Sequence, residues 1–292
     1  MPPLIGGAAV VIDVVKPDIV FVSFAWNAVI FDSCPPETFK ILDTHDIQHR
    51  RAIVASAAGG NLDDRDCSIE EECGELGKAD LLLGIQSDEA AILEQLCVDV
   101  RVVTAGHSPP VMAQKGSPGD SNTLLFIANL YDPNVIGLKQ FLLEDWPALR
   151  DAGWNLKVIG KVCNGFSSPV RCVEFLGMVD DLRPHYDEAA IVLNLAAYST
   201  GLPIKTVEGL AAGKVVLARV ECSECFGDDV PIVRFRSGQA ADALRHLVDD
   251  VATRRNLCDS AVKYARQGLA ASSIYRDFQG ILVRHALWPV AN

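Results

Sequence analysis

The chain has 292 residues, 49% of them hydrophobic and 22% charged, enough for two domains with apolar cores of their own. Its 26 Lys and Arg face 38 Asp and Glu, a net charge of −12 with no basic cluster, which argues against a nucleic-acid-binding protein that must displace counterions from phosphates. The longest apolar run, 19–31, is interrupted by Asn27 and is too short for a membrane span, and residues 1–15 lack the basic segment of a secretory leader and carry Asp13. Nine cysteines, an odd number without framework spacing, suit reduced thiols in a cytosol.

In chain order, apolar runs predict strands over 18–24, 40–43, 81–85 and 100–103. Helices fit 69–78 and 87–96, with Ser87 as an N-cap. Residues 107–121, rich in Pro, Gly and Ser, read as a linker. Beyond it, strands are expected over 124–128, 156–160, 173–177, 191–195, 215–218 and 232–235. Helices alternate with them: one capped by Asn134 and ended by Gly153, one over 181–189, one over 204–211 and one over 238–248. A terminal helix over 272–288 is expected to pack back across the interface. Such alternation implies parallel sheets covered on both faces, with ligands beyond the carboxyl ends of the strands. That places Gly160 and Lys161, the loop from Ser199 through Thr200 to Gly201, and Lys205 around one crevice.

The most informative stretch is 201–218. Ile204, Val207, Leu210 and Ala211 recur at helical spacing, Gly213 stands where a left-handed C-cap is wanted, and an apolar strand follows. Lys205 and Glu208, three apart, share one face near the helix N-terminus. The helix dipole and free N–H groups favour a phosphate there, and Lys205 adds a positive charge. One turn deeper, the Glu208 carboxylate is placed to accept hydrogen bonds from a ribose diol. The arrangement suits a nucleoside diphosphate, although an exposed Lys–Glu pair is also a common solvated surface feature.

Gly201, Lys205 and then Glu208-Gly209-Leu210-Ala211-Ala212-Gly213-Lys214-Val215-Val216 strongly resemble the nucleotide-sugar signature of family 4 retaining glycosyltransferases (group 1 glycosyltransferases). Val173-Glu174-Phe175-Leu176-Gly177, followed by Val179, Asp181 and Leu182, resembles the family's preceding marker. Lys40-Ile41-Leu42-Asp43-Thr44-His45-Asp46 resembles the strand and loop that carry its active-site His. The resemblance implies an α/β protein of the GT-B fold, two Rossmann-like parallel-sheet domains facing a cleft. The division expected is a shortened acceptor-side domain over 1–106, a linker over 107–121, a nucleotide-sugar-binding domain over 122–270 and a C-terminal helix over 271–292. It further implies transfer of a hexosyl group from a nucleotide-diphosphate sugar with retention, in polysaccharide or glycoconjugate biosynthesis. No cofactor or metal is expected. His45 and Asp46 are the expected catalytic residues, and Lys205, Glu208, Thr200, Gly201, Leu202, Lys161 and Gly160 the expected donor-binding ones.

Two departures stand out. The family's paired glutamates lie eight apart, and eight before Glu208 stands Thr200; loops of Gly-Thr-Gly type share this loss. The front of the acceptor-side domain is short, and Gly6-Gly7 does not replace the family's Gly-rich loop, so a truncated start or a reduced form with altered activity is expected, with self-association through whatever surface is left open.

Other motifs yield less. Asp64-Arg65-Asp66 matches the Asp-x-Asp of metal-dependent sugar transfer but lies in a polar loop with no apolar strand before it. Cys222-x-x-Cys225 lacks a second pair for zinc. His49, Arg50 and Arg51 form a basic turn open to an acidic acceptor or to solvent, and a structural bond of His45 with Asp43 or Asp46 is the alternative to its role at the sugar. Partners expected are the nucleotide-sugar donor and a carbohydrate or lipid-linked acceptor, the latter at the inner membrane face. Two rival readings stay open: a non-catalytic nucleotide-sugar-binding or regulatory protein, and a nucleotide-sugar epimerase.

Overall fold

The computed structural model describes residues 3–57, 67–113, 122–199, 201–248, 250–285 and 287. Its strands form two parallel sheets. The first holds β1 (Ile19–Ser23), β2 (Phe39–Asp43), β3 (Leu81–Gly84) and β4 (Arg101–Thr104), in that spatial order. The second holds β5 (Thr123–Ile127), β6 (Asn155–Ile159), β7 (Val173–Gly177), β8 (Ile191–Asn194), β9 (Val215–Arg219) and β10 (Ile232–Phe235), in the order β10-β9-β8-β5-β6-β7. The strand order reverses at β5, which pairs with β6 on one side and β8 on the other. Chains leaving neighbouring strands at such a point diverge to opposite faces and open a crevice between them.

The continuous apolar strands are explained by covering on both faces. Alternate side chains enter different cores: Leu124, Phe126, Ile191, Leu193, Val215 and Leu217 one, Leu125, Val192, Val216 and Ala218 the other. Leu138, Phe141, Trp146 and Leu149 cover the first face; Val207, Leu210, Ala211, Ala261 and Ala265 cover the second. In the smaller sheet, Val22, Leu42 and Leu82 pack on Ala28, Phe31, Leu76 and Leu93. The opposite face carries Ile41, Leu81, Leu83 and Val103, and it is closed by Ile281 and Leu282 of the helix Arg276–Arg284. The C-terminal segment returns to the first sheet, split into Ala271–Ile274 and Arg276–Arg284.

Local details differ from the sequence reading. Ser87 is the first residue of its helix, whose N-cap is Gln86 with no side-chain cap bond. Asn134 lies inside the first turn of the helix Asp132–Glu144, whose N-cap is Tyr131, and its amide is turned to other partners. That helix also breaks at Asp145, whose carboxylate accepts from the backbone N–H groups of Gly238 (3.2 Å) and Ala240 (2.8 Å) across the core. Three α-helices were not foreseen, Pro3–Val15, Gln48–Ala57 and Val251–Gly268. Gly6 and Gly7 lie within a helix, Pro3–Val15, so they form no loop at all.

Candidate functional site

Both sheets send their carboxyl ends to one cleft of about 650 Å³, within the range of small-molecule sites. From the first sheet it is lined by Phe24, His45, Asp46 and Ile85; from the second by the exits of β5 and β8 and by the helix Ile204–Ala211.

On the first side, β1 and β2 are each followed within two residues by a non-glycine residue with left-handed backbone, Phe24 at φ 70° and His45 at φ 61°. Such conformations are costly for residues with a Cβ and concentrate where a site demands them. The two rings stack with centroids 4.2 Å apart, and Phe24 stacks in turn on Trp26 at 4.5 Å. The Thr44 hydroxyl donates to the Leu83 carbonyl (3.0 Å) and pins the turn. His45 Nε2 lies 3.2 Å from Asp43 Oδ2. Burial raises the Asp43 carboxyl above its ordinary range, against the opposing pull of His45. The structural bond weighed for His45 thus exists, and the same ring still faces the cleft.

Across the cleft, Lys205 Nζ donates to Asn134 Oδ1 (2.8 Å), while Asn134 Nδ2 donates to the Asn129 carbonyl (3.1 Å). A chain of hydrogen bonds thereby ties the signature helix to the exit of β5. Asn194 at the end of β8 anchors the same helix through Thr206, Nδ2 to Oγ1 at 2.9 Å. Burial pulls the Lys205 ammonium below the usual lysine range, with the nearby Glu208 opposing that shift. Glu208 is one-third exposed; burial raises its carboxyl, and the His107 ring stands nearby, Nε2 to Oε1 at 3.9 Å. The Tyr186 hydroxyl also lies beside Glu208, without the geometry of a full hydrogen bond among the described residues. No side chain among the described residues caps the helix at Ile204, which leaves its first N–H groups to a ligand.

Glycines set the approach. Gly160 has φ 103°, and a Cβ there would collide with the Ala128 carbonyl, so only glycine lets this loop lie against the exit of β5. Gly201 lies directly against Asp46 of the other half, and the Ser199 hydroxyl donates to the Gly201 carbonyl (2.8 Å) to shape the loop.

Of the residues singled out in the sequence, His45, Asp46, Gly160, Gly201, Leu202, Lys205 and Glu208 line this one cleft. Lys161 is exposed on the short 3-10 turn Lys161–Gly165 and is not among the lining residues. Thr200 and Asp64-Arg65-Asp66 lie outside the described residues. His49 does not face an acceptor: it sits in a helix, its Nδ1 2.6 Å from Glu72 Oε2. Arg51 reaches the Tyr131 hydroxyl (3.2 Å) across the cleft. Cys222 and Cys225 are free thiols, each pushed up to about 12 by burial and so kept protonated. No group of three or more His, Cys, Asp or Glu suited to a metal ion occurs among the described residues. None of the described helices is long and apolar enough to cross a membrane. The sequence reading missed Asn134, His107, Tyr186 and Phe24 as site residues; the stop of a hydrophobic strand just before Phe24 was the available signal for that one.

Two parallel-sheet units of Rossmann type facing one cleft define the GT-B fold, the smaller sheet having four strands and the larger six. Sucrose-phosphate synthase from Thermosynechococcus elongatus superposes with a TM-score of 0.75 at 15% identity, over 98% of this chain and 77% of that one. HepE of Anabaena in complex with UDP-glucose superposes with a TM-score of 0.74 at 13% identity, over 97% and 82%. The UDP-forming trehalose-phosphate synthase of Burkholderia vietnamiensis does so at 0.70 and 11% identity, over 96% and 76%. Residues 121–250, which hold the larger sheet, match the family model described as glycosyl transferases group 1. No curated protein matches the chain in sequence.

Proposed function

We propose that the chain is a retaining, metal-independent glycosyltransferase that moves a hexosyl group from a nucleotide-diphosphate sugar to a carbohydrate or lipid-linked acceptor. One observation carries this reading. Lys205 and Glu208 stand on the first turns of an uncapped helix at the cleft, and His45 and Asp46 line its other wall. Bound there, a nucleoside diphosphate would meet the helix N-terminus and Lys205 with its phosphates and Glu208 with its ribose. The sugar would extend toward His45. In the reaction the bond from the anomeric carbon to the diphosphate breaks, a bond to an acceptor oxygen forms, and the acceptor proton leaves with the diphosphate. Charge developing on the diphosphate is met by dipoles and an ammonium already in place, which lowers the barrier without reorganisation. The UDP-glucose complex of HepE, a fold relative, supports this choice of donor. A lipid-linked acceptor would bring the chain to the inner face of a membrane.

Calorimetry with UDP and UDP-glucose in excess chelator tests the donor site, and release of UDP from the sugar nucleotide tests the chemistry. A binding protein without catalysis would show the first and not the second. Epimerisation would interconvert the donor sugar without releasing UDP. The exposed Val10, Val11 and Val14 of the helix Pro3–Val15 support self-association, which light scattering reads directly.

A further inference from the structure

Beside the cleft lies a second, smaller pocket of about 200 Å³, which shares Ser199, Gly201 and Cys222 with it. Its other walls carry Arg50, Gln86, Asp88, Glu89, Glu221 and Glu224. Glu89 is only 4% exposed, and its Oε2 has no hydrogen-bond partner among the described residues; the same holds for Oε1 of Gln86. A buried carboxylate oxygen left unmatched costs free energy, so the site is built for something that donates hydrogen bonds. Asp88, Glu221 and Glu224 outnumber Arg50, the one guanidinium among the lining residues, so the local potential is negative even with Glu89 protonated, which selects a donor that is also positively charged.

We infer that this side pocket is the acceptor subsite and that it takes a protonated amine, seated between Glu89 Oε2 and Gln86 Oε1, of an amino-sugar-sized acceptor. The inference rests on the glycosyl-transfer reading and adds the chemical class of the acceptor to it. The space is too small for a nucleotide and opens where the donor loop, Ser199 and Gly201, meets the first sheet. An acceptor held by its ammonium would present its hydroxyls along that loop to the cleft. Metal is a poor alternative occupant, because no three ligating side chains converge among the described residues.

Proton linkage follows. Burial, with Asp46 and Glu72 nearby and only Arg50 opposing, raises Glu89 to about 8. Asp88, Glu221 and Glu224 and the thiols of Cys222 and Cys225 also face the pocket. At neutral pH the free site is therefore largely protonated at Glu89, and an arriving ammonium favours the carboxylate and expels that proton.

The test titrates glucosamine and glucose, with and without UDP, in two buffers of different ionisation enthalpy. Glucosamine is expected to bind at least about tenfold more tightly than glucose, the lower bound for a charge-assisted hydrogen bond, with proton release that glucose does not show. Glu89→Gln should abolish both the preference and the proton release while leaving UDP affinity unchanged. Glu224→Gln, at an exposed rim position, keeps the test decisive if the buried substitution unfolds the chain, and should weaken glucosamine roughly twofold by removing one screened charge. Equal binding of the two sugars, or a glucosamine affinity untouched by the substitutions, overturns the inference. If UDP binds and glucosamine does not, the subsite alone falls; if UDP fails to bind, the nucleotide-sugar reading falls and the acceptor role with it.

Discussion

Gly201 leaves no room for a Cβ, because Asp46 Oδ1 would stand inside its contact radius and the His45 carbonyl within 3.2 Å. The two halves of the chain therefore meet through backbone on one side and a carboxylate on the other, at the point where donor loop and His45 turn face each other. Gly201→Ala should push Asp46 out of place and widen the cleft. Overpacking of this kind costs about 1–3 kcal/mol. Thermal melts should show that loss, and donor turnover should fall further than UDP affinity does.

Lys205 is held by Asn134 and aimed at the cleft. Lys205→Met keeps the stem and removes the charge, so UDP binding should weaken by about 1.5–3 kcal/mol. Asn134→Ala should cost less, because it frees the ammonium without removing it. Calorimetry that ranks the two variants in the opposite order would assign the phosphate contact elsewhere.

Glu208→Gln keeps size and loses the acceptor charge, and donor binding should drop by about 1.5–3 kcal/mol, the range for a charged hydrogen bond. Uridine should feel this loss as UDP does, since the contact is to ribose. His107→Ala should affect both ligands weakly, its Nε2 being 3.9 Å from Glu208.

His45→Ala should leave UDP binding nearly intact while sharply lowering both transfer and slow hydrolysis of the donor by water, because contacts made to the sugar matter most in the transition state. Wild-type protein that binds UDP-glucose and neither hydrolyses nor transfers it would leave the binding-protein reading in place.

Stability should report Glu89. Its carboxyl rises from 4.5 to about 8 on folding, so folding favours the protonated form. That contribution is complete below pH 4.5 and disappears as pH rises through 8. Glu89→Gln removes the titration. Urea melts across this window should show the variant gaining stability relative to wild type as pH rises, and a constant difference would assign the pocket a different charge state.

The sequence by itself determined the parallel α/β architecture and the signature helix. Apolar runs at 191–195 and 215–218, the helical spacing of Val207 and Leu210 and the left-handed Gly213 at φ 66° depend on neighbours a few residues away. It also marked Lys205 and Glu208, because both lie on one short helix. Tertiary structure decided the partners. The helix Gln48–Ala57 was illegible because its cap is Glu72, on another helix, which accepts from the N–H groups of Gln48 (2.7 Å) and His49 (3.0 Å). Asn134 reads locally as a helix cap, yet sheet packing brings it to Lys205, 71 residues away. The unmatched Glu89 belongs to the same category: on the sequence it is an ordinary acid in the first turn of a helix. Propensity and periodicity act over one or two turns, whereas burial and charge pairing are set by which strand ends the two sheets bring together.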